Sequence, residues 1–490
     1  MNKSPLVRLS WAVFFLAIAL FADAYAAPPT PFPPFVLPAQ GCPMAHCDAQ
    51  MTDWENALPP GPEARIIWRD AREGPPGEPL GSSRGLGCAG NGEIVACTFG
   101  LPLEDDADIS CDPQIQDTLV VYAYTNAQKT PDILWTSGDL LNCTANTSAP
   151  LVGVSGGVIA ADDTRIIRFA PNGIPLWQTA TPGGKPISPV LLDSGLILLA
   201  TVGGPVSVYN SETGEMGAQL SLGEGASFYE TINTPAVNGN RVYISTQLNE
   251  DPTYGRLYAL DVTPGPPANI QVAWHFNFGG PSGASPLLIG DTLYFDGNRS
   301  EPGGAFAPQI YAVQDTGSIG QLLWVKPMPG EIQASFARDP RGGFWAFSVG
   351  TPLKDNRWLT RMRFTDLDGD GVGDVWERID LDALVNLPGV HVPSSAMSIA
   401  GTADTPIMIV SATAFAEDGS IDSTYVVAVD LAARARFWRV WLPSDLTAGQ
   451  FAVTLGALGP RVFFTNKTEG AWVIGRPLTY TELLPAVFAP

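Results

Sequence analysis

Residues 366–377 read DLDGDGVGDVWE and hold the densest chemistry in the chain. Carboxylates at Asp366, Asp368 and Asp370 alternate with other residues, Gly371 allows a sharp turn, and Val372 offers a main-chain carbonyl. Asp374 and Glu377 follow at loop positions nine and twelve. Hard divalent cations take oxygen ligands in this number and spacing, so Asp366, Asp368, Asp370, Val372, Asp374 and Glu377 are expected to hold calcium. Without a cation the carboxylates would repel one another at short range. The flanks, 361–364 and 375–381, are strand-like, and Gly373 stands where helix pairs usually carry an apolar residue. The loop is therefore expected to be a structural calcium turn between two strands, with Glu377 as its weakest ligand.

A second constellation is Cys42, Met44, His46 and Cys47. Thiolate, thioether and imidazole together suit copper(I), whereas in an oxidising compartment the two thiols pair instead. Disulfide formation is the expectation, and the spacing does not fit a c-type haem. All six cysteines (Cys42, Cys47, Cys88, Cys97, Cys111 and Cys143) lie in the first third of the chain. Pairing of neighbours, 42 with 47, 88 with 97 and 111 with 143, is one of fifteen connectivities. The letters of a nucleophile elbow occur at 153–157, but a strand-like run follows where that motif needs a helix. With only three histidines in the sequence, no catalytic triad is expected.

The elements that must position these residues follow an export signal. Lys3 and Arg8, an apolar run over 9–20 and the small-residue site at 24–26 predict a cleaved signal peptide over residues 1–26, and hence a periplasmic or extracellular protein. The net charge is −22, and loss of Lys3, Arg8 and Asp23 moves it to −23. So acidic a surface repels phosphate backbones and anionic lipid headgroups, which argues against nucleic acid as a partner. No membrane span is expected in the mature chain. Residues 27–62 are rich in proline and carry the first two cysteines. They read as an arm that lies on the folded body or ties it to something else. Asn142, Asn146, Asn298 and Asn466 begin Asn-X-Ser/Thr sites and are expected in loops.

Beyond the arm one unit recurs: a strand ending near an acidic or amide residue, a glycine-containing turn, then a strand ending in Trp. The copies end at Trp135, Trp177, Trp274, Trp324, Trp376 and Trp438, and another ends at Leu220. Most are roughly 40–60 residues apart, the spacing of propeller blades. The motifs Tyr258-Ala-Leu-Asp261 and Asn210-Ser-Glu-Thr-Gly214 resemble those of the quinoprotein-like (PQQ-repeat) β-propellers. That resemblance implies an all-β propeller, and counting the copies together with a shared last blade gives eight four-stranded antiparallel blades over 63–477, seven being the alternative, with a tail at 478–490. The segment 64–70 looks like a Trp-ended strand without a partner, and 451–474 looks like a blade lacking one. The N-terminal strand is therefore expected to complete the last blade. The resemblance further implies that each Trp packs between neighbouring blades.

The same family includes catalysts and non-catalytic proteins. The resemblance would imply pyrroloquinoline quinone (PQQ) as a cofactor in an alcohol or sugar dehydrogenase. The adjacent cysteine pair of the larger enzymes is missing, however, and no catalytic Asp can be carried over by motif. The expectation is an exported, non-catalytic binding or scaffold propeller, similar to the barrel-assembly propellers and partnered by a protein or envelope component. A carbohydrate or other small ligand in the central channel is the remaining reading. Whether that channel presents converging Arg, Asp and Trp side chains or is plugged would discriminate among these.

Overall fold

Apolar runs punctuated by Gly, Pro and Asp turns fold here into successive antiparallel meanders. The computed structural model describes residues 34–73, 79–80, 87–100, 118–123, 131–224, 227–231, 233–332, 334–349, 356–394, 397–415, 421–443, 452–456, 459–465 and 470–476. Among them, a 5-residue α-helix (Leu381–Val385) and a short 3-10 turn (Cys143–Thr147) interrupt an otherwise all-β chain. No described helix is long and apolar enough to cross a membrane.

Each meander climbs outward one strand at a time. Cys88–Gly90, Ile94–Thr98, Leu119–Ala123 and Asp132–Thr136 form the first in chain order. Further meanders occupy 151–180, 185–220, 337–380 and 390–442, and a long sheet over 223–327 contains two more, joined where Gly279 pairs with Arg299. Middle strands such as Val158–Ala161 and Leu119–Ala123 are buried along their whole length, which is why they read as unbroken apolar runs. Fourth strands such as Asp132–Thr136 and Pro175–Ala180 are half exposed and carry the polar residues.

Four of the recurring Trp residues join one meander to the next, whereas the expectation is corrected at Trp376, which is 41% exposed and lies under Arg361 of its own meander. The indole N–H of Trp135 donates to the Pro171 carbonyl at 2.9 Å, that of Trp177 to Ser211 at 3.0 Å, and that of Trp324 to Phe364 at 3.3 Å. Trp274 donates to the Asp315 carboxylate at 2.8 Å. Each acceptor belongs to the following meander, and a glycine of that meander lies against the ring. At Gly214, whose φ is 73°, a Cβ would sit 2.6 Å from the Trp177 ring, so both the backbone conformation and the contact require glycine. These indoles pack between sheets.

The ends of the chain meet in one sheet. Arg65–Asp70 runs antiparallel to Ala471–Gly475, which pairs in turn with Gly459–Thr465 and then Ala452–Gly456. Trp68 lies opposite Val473, and its ring meets Tyr122 of the first meander edge-on at 5.4 Å. The Tyr122 hydroxyl donates to Asp70 at 2.6 Å. On the other side the Trp438 indole N–H donates to the Pro60 carbonyl at 2.9 Å.

Disulfides join Cys42 to Cys47 and Cys88 to Cys97, so the first pair is not a copper site. Cys143 is disulfide-bonded too, while Cys111 and Asn466 lie outside the described residues, as do the signal segment and the tail. The loop expectation for the Asn-X-Ser/Thr sites is corrected at Asn298, which lies in the strand Thr292–Arg299. Asn142 caps the 3-10 turn and Asn146 is buried inside it.

Candidate functional site

The acidic loop forms the turn between Trp358–Met362 and Val375–Asp380, the last two strands of their meander. Side-chain oxygens of Asp366, Asp368 and Asp370 come within 4.8 Å of one another. The loop is shaped from within: Asp366 accepts from the N–H groups of Gly369 (2.9 Å) and Gly371 (2.7 Å), and Asp370 from Val372 (2.8 Å). Asp374 accepts from Leu367 N–H at 2.8 Å. The N–H groups of Gly371 and Gly369 hold the Asp366 carboxyl below the usual carboxylate range. Although Asp370 N–H donates to it, the Asp368 carboxyl is pushed up by its contact with Asp366 and by the charges of Asp370 and Asp366. Such mutual repulsion is what a cation relieves. The loop is also fastened to the preceding sheet, where Val325 N–H donates to the Gly371 carbonyl at 3.0 Å and Gly373 N–H donates to the Val325 carbonyl at 3.2 Å.

Glu377 is engaged elsewhere. It lies in a nearly dry knot, its carboxylate 2.9 Å from Arg361, 2.7 Å from Arg434 and 3.7 Å from Arg341. Arg361 bridges on to Asp339 at 3.2 Å and lies over the Trp376 ring at 3.8 Å. The structure thus gathers Asp366, Asp368 and Asp370 and leaves Asp374 and Glu377 outside that group.

The second region is the stretch 42–55, almost wholly buried. Its carbonyls accept one N–H after another from the first strands of six meanders. Gly90 donates to Cys42 (2.7 Å), Val152 to Pro43 (2.8 Å), Val237 to Ala49 (2.6 Å), Leu288 to Gln50 (2.9 Å), Arg338 to Thr52 (2.8 Å) and Ile399 to Asp53 (2.7 Å). One short segment can touch six sheets only if their first strands converge on a common axis, and this segment lies along it. Met44 and Met51 are fully buried in the same apolar cluster as Leu151, Val190 and Val237. The curl needed for this path puts His46, Cys47, Met51 and Asp53 at φ values of 58°, 69°, 58° and 46°, sparsely populated for residues with a Cβ.

Within it His46 Nδ1 is 2.8 Å from Asp53, and His46 Nε2 is 3.3 Å from Ser335 Oγ. The order Ser–His–Asp is that of a nucleophilic triad, which the sequence analysis did not anticipate. Two facts assign it to structure. Ser335 is 4%, His46 1% and Asp53 0% exposed, which leaves no face for a substrate carbonyl. Ser335 also repeats a linking role: it accepts from Ser285 N–H at 3.2 Å, as Ser285 accepts from Thr234 at 3.0 Å and Ser188 from Ala149 at 2.9 Å. Burial pushes the Asp53 carboxyl up against the opposing effect of His46.

Asp296 is a further group that the motifs missed; its only signal was a lone carboxylate in the apolar strand Thr292–Arg299. Its Oδ2 accepts from the N–H of Ser282 at 2.9 Å and from the Ser282 hydroxyl, while Oδ1 is buried without a hydrogen bond. Burial pushes its pKa up to about 7, with the nearby Glu331 charge adding to the effect. An aspartate raised this far above its ordinary value of 3.8 binds more protons folded than unfolded. Stability is therefore full below about pH 4, falls as pH rises and levels above about pH 7. Asp296→Asn is expected to unfold at nearly the same temperature at pH 5 and pH 8 in this respect. The parent should lose on the order of 2–4 kcal/mol across that interval, given 1.36 kcal/mol per pKa unit. Parallel melting curves check this.

Converging antiparallel sheets, several of them locked by an indole to the next, define a β-propeller. The chain has the fold of the quinoprotein-like repeat propellers. No family model matches it, and no curated protein matches it. Among solved structures it is similar to "Europium-containing methanol dehydrogenase", with a TM-score of 0.53 and 13% identity over 89% of this chain and 98% of that one. BamB from Moraxella catarrhalis aligns with a TM-score of 0.42 and 12% identity over 78% of this chain and 97% of that one. At these identities the likeness is one of fold.

Proposed function

We propose that the chain is an exported, non-catalytic β-propeller of eight blades that binds or organises other macromolecules, with a structural calcium ion in its acidic loop. The observation that carries this reading is the segment 42–55 along the axis. A quinone cofactor needs a cavity with converging polar and aromatic side chains. Here the inner-strand N–H groups of six meanders are taken by the chain's own carbonyls, and buried methionines and a disulfide fill the space between. Filling of the axis by residues 42–55 supports a reading without PQQ or a sugar at that place. Eight blades follow from counting the two meanders of 223–327 separately and the sheet shared by the chain ends as the last; such closure removes exposed sheet edges. The filled axis supports a non-catalytic reading of the kind expected for barrel-assembly propellers, and the disulfides support a periplasmic or extracellular setting with a protein or envelope partner. Purified protein supplied with PQQ, calcium and an artificial electron acceptor should reduce no dye with any alcohol or sugar. Cofactor-dependent reduction would overturn the reading.

For the calcium ion, Asp366, Asp368 and Asp370 supply the carboxylates and Asp374 and the Val372 carbonyl complete the oxygen set. Glu377 is left to its arginines. At a calcium concentration a hundredfold above Kd the ion stabilises the fold by about 2.7 kcal/mol. The melting temperature is expected to fall by a few degrees when a chelator replaces calcium, and Asp368→Asn should abolish that difference.

A dehydrogenase is the second reading, supported only by the likeness of fold to a methanol dehydrogenase.

A further inference from the structure

A cavity of about 220 Å³ opens between the outermost strand of one meander, Gly320–Pro327, and the sheet of the next. Its wall includes Lys326, Arg378, Trp358, Thr360 and Ser348. Thr360 lies directly opposite Arg378 in the sheet, and Trp358 is two residues from Thr360, so the three share one face. Lys326 reaches that face from the neighbouring sheet.

The charge of this cavity runs against the rest of the molecule. The chain carries 49 acidic against 27 basic residues, yet among the described residues no acidic side chain lines the cavity. Some cations elsewhere are neutralised: Arg241 by Asp261 and Asp315, and Arg361 by Asp339 and Glu377. Lys326 and Arg378 make no ion pair with any described residue. The Ser348 hydroxyl, on a residue only 2% exposed, is buried in this wall without a hydrogen bond. A buried hydroxyl without a partner is costly, and two cations unpaired among the described residues line the same cavity, a set that suits an anion with acceptor oxygens. The indole of Trp358 and the side chains of Met328 and Val375 supply an apolar wall for the body that carries the charge. An engineered cavity of about 150 Å³ holds benzene, so this one takes a ring with a carboxylate attached.

We propose that this cavity binds a small organic carboxylate, its charged group between Lys326 and Arg378 and its body against Trp358. The scaffold reading does not depend on this site, and the site does not depend on that reading.

Benzoate, glucuronate, benzamide and inorganic phosphate, titrated separately into the intact protein by calorimetry, test the proposal. Benzoate or glucuronate should bind saturably at one site, more weakly as salt is raised. Neutral benzamide should not bind. Lys326→Gln and Arg378→Gln should each weaken carboxylate binding tenfold or more with unchanged melting temperature. Ser348→Ala should weaken it severalfold, and Lys185→Gln, outside the cavity, should leave it unchanged. Absence of saturable carboxylate binding, equal binding of benzamide, indifference to both cation variants, or binding of phosphate alone would each overturn the assignment.

Discussion

A chain deleted for residues 35–57 is expected not to unfold cooperatively at any temperature and to be recovered, if at all, as protease-sensitive material. The deletion strips the first strands of six meanders of their acceptors, each backbone hydrogen bond being worth about 1 kcal/mol net and more when a buried N–H is left unmet. It also removes Phe35, Met44 and Met51, at most 5% exposed, each contributing roughly 1.5–3 kcal/mol. Together these terms exceed about 10 kcal/mol, comparable with the whole stability of an ordinary domain. Circular dichroism melts and limited proteolysis measure the outcome. A sharp transition within a few degrees of the parent would show that the axis does not depend on this segment.

Arg361→Ala is expected to cost about 3–5 kcal/mol, the range for breaking a buried ion pair from one side. The guanidinium is 4% exposed and lies between Asp339 and Glu377, whose side chains are 0% and 6% exposed. It also donates to the Gly342 carbonyl and covers the Trp376 ring. Burial alone would raise the Asp339 carboxyl, but Arg341, Trp345 and Arg361 hold it below the usual range, so removing Arg361 leaves a charge that has lost part of its compensation. Denaturant unfolding at neutral pH gives the value. Arg361→Lys should recover only part of it, since a point charge cannot serve two carboxylates and a carbonyl as a planar fork does. A loss below about 1 kcal/mol would show that Arg341 and Arg434 suffice.

What could be read in advance divides along a physical line. Strand, turn and Trp recur locally, so the meanders were legible from residues close in sequence, and the packing role of Trp135, Trp177 and Trp324 came with the family resemblance those repeats carry. The acidic loop was legible for the same reason, since its spacing is internal to one turn. Glu377 shows the limit: it fits the motif by position, but three arginines hold it, one of them from the turn of another meander, and no spacing rule encodes that. The path of residues 42–55 was hidden for a stronger reason. Cysteine, methionine and proline there signal only compactness, whereas the partners of the segment are scattered backbone groups that any sequence would offer. Asp296 and the cavity beside Trp358 likewise arise from side chains that meet only across sheets.

The axial segment also fixes an order of events. Trp54 donates its indole N–H to Gly401, 347 residues later, and the Asp53 carbonyl waits for Ile399. Because a polypeptide is made from its amino end, Cys42 and Pro43 can meet Gly90 and Val152 early, whereas Asp53 and Trp54 have no seat until residues 399–401 exist. The growing chain therefore carries part of its own keystone unplaced, and the wheel completes its hub at the close of assembly.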